Sequence, residues 1–143
     1  MNIPHSEEEK EEDFLEYLYM GWKSGTEIWP HQVKMHLELM DAELKRLERG
    51  LMASGYLRKR AENSGYRLTE LGKVQGEECL LRHHNLTQFL QMTCGLEEEE
   101  AEENACRMEH VISGNVLQGV QEFLKYGETY DRVVRDVDLR YLY

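Results

Sequence analysis

The sequence predicts a mainly α-helical protein: an N-terminal winged helix-turn-helix with a small β-hairpin, followed by a C-terminal helical half. Three observations carry this. Apolar residues recur three and four apart along most of the chain. Two short amphipathic segments meet at a tight turn near residues 38–40. Two basic stretches then flank Ala61 to Gly65, which holds an Asn-Ser-Gly turn.

The first helix opens at Ser6, which with Glu9 fits a capping box. Phe14, Leu15, Leu18 and Tyr19 form its apolar stripe, and Gly21 to Gly25 ends it. Asp13 and Glu16, three apart, can share one target. Pro30 starts a short helix to about Leu37, with Val33 and Leu37 inward. Asp41 is read as the N-cap of the next helix, which runs to about Ala53 and closes at Ser54-Gly55. Leu44, Leu47 and Leu51 are its core side. Its exposed face offers Lys45, Arg46 and Arg49, as a recognition helix would.

Tyr56 to Arg60 and Tyr66 to Thr69 read as two short strands. Arg58, Lys59, Arg60 and Arg67 would line this wing and meet phosphates. Thr69 caps a long helix, Glu70 to about Thr93, in which Gly72 and Gly76 imply a close neighbour. Leu81, Leu86, Phe89 and Leu90 are its predicted core. A helix from the acidic run Glu97–Glu103 continues to about Ile112. Ser113-Gly114-Asn115 breaks it, and Val116, Val120, Phe123 and Leu124 mark the next, ending at Tyr126. Tyr130, Val133, Val134, Val137 and Tyr141 predict a last helix. The domain boundary is expected at 73/74.

The 143 residues carry a net charge of -11, which by itself argues against nucleic acid. The charge is uneven. Residues 41–73 hold eight Lys or Arg against five acids, whereas residues 78–143 hold six against thirteen. A binding surface is therefore expected in the first half. Three cysteines, Cys79, Cys94 and Cys106, give no paired spacing and point to a reducing compartment. No apolar run reaches membrane-spanning length, and the polar N-terminus reads as no signal peptide. A cytoplasmic protein without a membrane role is expected.

Ala105-Cys106-Arg107-Met108-Glu109-His110-Val111 places a thiol, a carboxylate and an imidazole at i, i+3 and i+4, on one face of a helix. These are donors that first-row transition metals take. A carboxylate-bridged oxidase would need Glu-x-x-His, and Ile28, Val33, Leu80, Leu81 and Arg107 stand three before His31, His36, His83, His84 and His110. That enzyme reading is weak, and no catalytic residue or small-molecule substrate is expected.

The order of helix-turn-helix, basic wing, Leu68-Thr69-Glu70-Leu71-Gly72-Lys73, Arg82-His83, Phe89-Leu90 and Ala105–Val111 resembles the diphtheria-toxin-repressor family. The resemblance spans about residues 8–126 and is similar to the short manganese transport regulator branch, without a third, SH3-like domain. It implies a metal-dependent DNA-binding repressor for iron or manganese homeostasis. It also implies a winged-helix domain at 1–73 and a helical metal-binding and dimerisation domain at 74–143. Its implied ligands are Asp13, Glu16, His83, Cys106, Glu109 and His110. Cys106 departs from the manganese branch, which has Glu there. Thr87 departs from the iron-type members' ancillary Glu, and Glu102 is the candidate for a partial second site with His83. Fe²⁺ or Mn²⁺ is the expected ion, with Zn²⁺ and Co²⁺ as alternatives, because thiolate suits the softer ions. Expected partners are a double-stranded DNA operator and a second copy of the chain.

Asp41 and Glu43 resist this reading, since acids at the start of a recognition helix repel phosphate. They keep open a winged-helix regulator or protein-interaction module without metal response.

Overall fold

The computed structural model describes residues 6–126, which form six helices in two compact units, Met1–Leu81 and Arg82–Tyr143. The predicted last helix lies outside the described residues.

In the first unit, α1 (Glu7–Lys23) begins at Ser6, whose hydroxyl accepts from Glu9 N at 3.2 Å. α2 (Pro30–His36) and α3 (Asp41–Ala53) follow. Phe14, Leu15, Val33, Leu47 and Leu51 are at most 1% exposed and form the centre of one core with Leu57, Tyr66 and Leu68. Each such side chain stabilises the fold by about 1.5–3 kcal/mol through apolar burial.

All three helices end in the same way. Thr26 N donates to Gly21 O, Leu39 N to Lys34 O and Tyr56 N to Leu51 O, each spanning the last turn. This 6→1 closure needs a left-handed residue just before the donor. Gly25 (φ 74°) and Gly55 (φ 80°) supply two of them, but Glu38 (φ 55°) supplies the third. The turn between α2 and α3 thus pivots on a side-chain-bearing residue in a glycine conformation.

Two expectations change here. Met40, not Asp41, occupies the N-cap of α3, because the Glu43 carboxylate reaches back to Met40 N at 3.4 Å. The two predicted strands reduce to one antiparallel bridge, Leu57 with Leu68, and no strand forms among the described residues. The backbone groups of the second arm go elsewhere. Tyr66 N donates to Ile28 O at 2.8 Å, and Gly65 N to the Glu27 carboxylate at 2.7 Å. Arg60 Nη1 braces the turn itself through the carbonyls of Ala61, Glu62 and Ser64.

α4 (Glu70–Cys94) is capped by Thr69, whose hydroxyl accepts from Gly72 N at 3.0 Å. Its glycines mark close approaches, as predicted. A Cβ at Gly76 would lie 2.7 Å from Tyr19 Cβ, and one at Gly72 would overlap the Tyr56 carbonyl.

In the second unit, α4 continues from Arg82, followed by α5 (Glu98–Met108) and α6 (Gly114–Lys125). Leu86, Leu90, Ala101, Ala105 and Val120 form its core, with Phe89 and Leu124 against it. Leu81, predicted as core, is exposed, as is Val116. α5 stops at Met108 rather than Ile112, and Ser113 caps α6 by accepting from Val116 N at 3.3 Å. Ser113 therefore starts a helix at Gly114, where the sequence suggested only a break.

Candidate metal centre and nucleic-acid interface

In the second unit the ligand stretch sits in the last turn of α5 and just beyond it. Glu109 N still donates to Ala105 O at 2.9 Å, so helical geometry carries through Glu109 although α5 has ended. The one-face arrangement survives: ligand atoms of Cys106, Glu109 and His110 all lie within 4.8 Å of one another. Glu109 is 1% exposed. Its Oε1 lies 3.3 Å from His110 Nε2, and its Oε2 lies 3.8 Å from His83 Nδ1 on α4.

A buried carboxylate is costly unless positive charge or donors meet it. Here two imidazoles and a thiol surround it, a donor set that fits a divalent first-row ion. Thr87 is buried and turns its hydroxyl back to the His83 carbonyl at 2.8 Å. Glu102, the candidate for a second site, is exposed on α5 and belongs to no ligand cluster among the described residues. In the first unit, Asp13 and Glu16 stand one turn apart on α1, both half-buried.

The basic residues belong to the first unit. Lys45, Arg46 and Arg49 are exposed on α3; Arg58, Lys59 and Arg67 are exposed beside the Leu57–Leu68 bridge. Arg60 is turned into its own loop and is half-buried. Arg46 Nε donates to Glu7 of α1 at 2.7 Å.

The two troubling acids have partners that no spacing rule could reveal. Lys34 Nζ lies 2.6 Å from Asp41, and Lys10 Nζ lies 2.7 Å from Glu43. Each hydrogen-bonded ammonium holds its carboxyl below the ordinary range. The negative charge at the start of α3 is thereby offset locally.

Residues 69–132 match the model of the iron dependent repressor, metal binding and dimerisation domain. That stretch is similar to the iron-dependent-repressor family. The resemblance drawn from Arg82-His83 and Ala105–Val111 is borne out over it. Relatives of the chain include an uncharacterised HTH-type transcriptional regulator of Methanocaldococcus jannaschii, 28% identical over 80% of this chain and 91% of the relative. The HTH-type transcriptional regulator MntR of Oceanobacillus iheyensis is 25% identical over 88% of this chain and 84% of its own length. The solved manganese regulator SloR shares the fold, with a TM-score of 0.73 and 22% identity. The match covers 81% of this chain and 54% of that one, so the chain spans about half the length of that structure.

Proposed function

We propose that the chain is a metal-responsive DNA-binding transcriptional repressor of the cytoplasm, acting as a homodimer in iron or manganese homeostasis. The observation that carries this is the cluster of Cys106, Glu109 and His110, with His83 beside it, inside a segment of the metal-binding and dimerisation family. His83, Cys106, Glu109 and His110 would hold the ion, and Asp13 and Glu16 would complete the set. When bound, a divalent cation supplies the positive charge that offsets the clustered carboxylates. Fe²⁺ or Mn²⁺ is the favoured ion, and Cys106 keeps Zn²⁺ and Co²⁺ in contention. Residues 1–73 act as the DNA-binding domain and residues 74–143 as the metal-binding and dimerisation domain.

The route to DNA lies in the chain's own packing. α1 carries Asp13 and Glu16 and is tied to α3 by Lys10–Glu43 and Glu7–Arg46. A constraint on those two carboxylates therefore passes to the helix bearing Lys45, Arg46 and Arg49. In a dimer that constraint selects one separation of the two recognition helices, which must match major grooves about 34 Å apart. The bridge at Leu57–Leu68 acts as a short wing, with Arg58, Lys59 and Arg67 on phosphate. Arg60 serves there by bracing the turn.

An electrophoretic shift on the promoter of a metal transporter gene, with and without Mn²⁺, Fe²⁺ or Zn²⁺, tests the proposal. Metal-stimulated retardation is expected. Binding that ignores the ion would favour a winged-helix module without metal response.

A further inference from the structure

A cavity of about 670 Å³ opens in the first unit, and none of the proposed metal ligands lines it. Its wall takes Leu18 and Trp22 from α1, Ile28 from the following loop, and Tyr66 and Leu68 from the hairpin. No residue of α2 or α3 lines it, so it is not the face of the recognition helix. Its size falls in the range of small-molecule sites, and its wall mixes these apolar and aromatic side chains with a larger share of polar groups.

The charged groups here are three cations and one acid. Arg58, Arg67 and Lys73 all line the cavity. Arg58 N donates to Arg67 O at 3.0 Å, so the two arginines stand opposite each other across the bridge. Like charges so placed repel. Among the described residues neither arginine has a carboxylate at ion-pair distance. Lys73 Nζ lies 4.5 Å from the Trp22 ring centre and 3.0 Å from Glu70. The acid in the lining is Glu27, and its carboxylate accepts from Gly65 N. An acidic protein has therefore collected three cations around a hollow whose wall also carries Leu18, Trp22, Ile28 and Leu68.

We propose that this hollow binds a small organic anion, with an aromatic or aliphatic body on Leu18, Trp22, Ile28 and Leu68 and a carboxylate or phosphate head on Arg58, Arg67 and Lys73. The planar guanidinium forks suit either head bidentately. The ligand would relieve the arginine pair and would compete with DNA only through Arg58 and Arg67. The assignment stands apart from the metal reading, since the two share no residue.

The test follows the Trp22 indole N–H resonance of the full chain during titration. The probes are 1-naphthyl phosphate, 1-naphthoate, inorganic phosphate and neutral 1-naphthol. Saturable movement of the Trp22 signal is expected with at least one naphthyl anion, which names the head group, at tenfold or lower concentration than with inorganic phosphate or naphthol. Lys73→Gln and Arg67→Gln should each weaken that binding about tenfold, whereas Lys59→Gln should leave it unchanged. Lys73→Gln should also keep metal-stimulated DNA retardation, so loss of the cavity and failure of the DNA reading are separately visible. The inference is overturned by non-saturable shifts, by equal binding of inorganic phosphate or naphthol, or by arginine and lysine variants that bind the anion as well as the parent.

Discussion

Glu109 sits 1% exposed between two imidazoles, and its worth depends on what neutralises it. A cation that binds this set in the folded chain stabilises the fold by mass action, about 2.7 kcal/mol at a hundredfold excess over Kd. Thermal melts with Mn²⁺ or Zn²⁺ should show that rise. His110→Ala should remove it and abolish metal-stimulated DNA retardation, while the ion-free circular dichroism spectrum stays helical. An unchanged metal response in that variant would refute the ligand assignment. Cys106→Glu exchanges the soft donor for a hard one and should move preference toward Mn²⁺ over Zn²⁺ in competitive titration. Tyr66 offers a second residue-scale test. Its hydroxyl donates to Glu48, and burial first, then this bond, raises its pKa above the ordinary 10.0. The folded state thus holds the phenol proton more tightly than the unfolded state. That contribution is complete below about pH 10 and is lost as pH rises above it. Tyr66→Phe should cost about 1 kcal/mol near neutrality. It should also flatten the alkaline fall in melting temperature.

At the scale of elements, the turn between α2 and α3 holds Glu38 at φ 55°, a conformation that a side chain adopts at a cost of about 1–2 kcal/mol. Asn tolerates it better, so Glu38→Asn should raise the melting temperature without altering DNA affinity. A fall would show that the Glu38 side chain matters more than its backbone. The proposed wing would divide its basic residues between two tasks. Arg58 and Lys59 are exposed, and removing both charges should reduce the slope of log affinity against log salt by about one for each phosphate left without its cation. Arg60 is bonded to three carbonyls of its own turn, so Arg60→Gln should loosen that turn and leave the slope nearly unchanged. These outcomes separate the cations proposed to meet DNA from the one that shapes the loop. The same bonds explain why the predicted strands shrink to a bridge. The donors of Gly65 and Tyr66 are taken by residues 27 and 28, which lie far away in sequence.

At the scale of the molecule, the proposed repressor links ion and DNA through a coupling free energy on the order of 1–3 kcal/mol, a change of about 5–150-fold in operator affinity. Retardation titrations at fixed salt, with and without Mn²⁺, measure it directly. Reciprocity requires that operator DNA tighten the ion by the same factor, which calorimetry can check. The net charge of -11 opposes such affinity, and each phosphate met by a Lys or Arg makes it sensitive to salt. The Lys34–Asp41 and Lys10–Glu43 pairs limit the repulsion at the start of α3. Lys10→Gln should therefore weaken DNA binding even though Lys10 belongs to α1.

Sequence alone determined the parts that depend on near neighbours. The α1 cap at Ser6, the α4 cap at Thr69, the glycine ends at Gly25 and Gly55, and the three-and-four spacing of Cys106, Glu109 and His110 are all set within one or two turns. A helix's period makes such relations nearly independent of the rest of the chain. Tertiary structure alone decided that Glu109 is buried beside His83, that Lys10 and Lys34 answer the acids of α3, that Leu81 is exposed, and that Tyr66 bonds to Ile28. Each of these depends on which distant segment packs alongside. That choice follows from the fit of whole apolar faces, which no local spacing encodes.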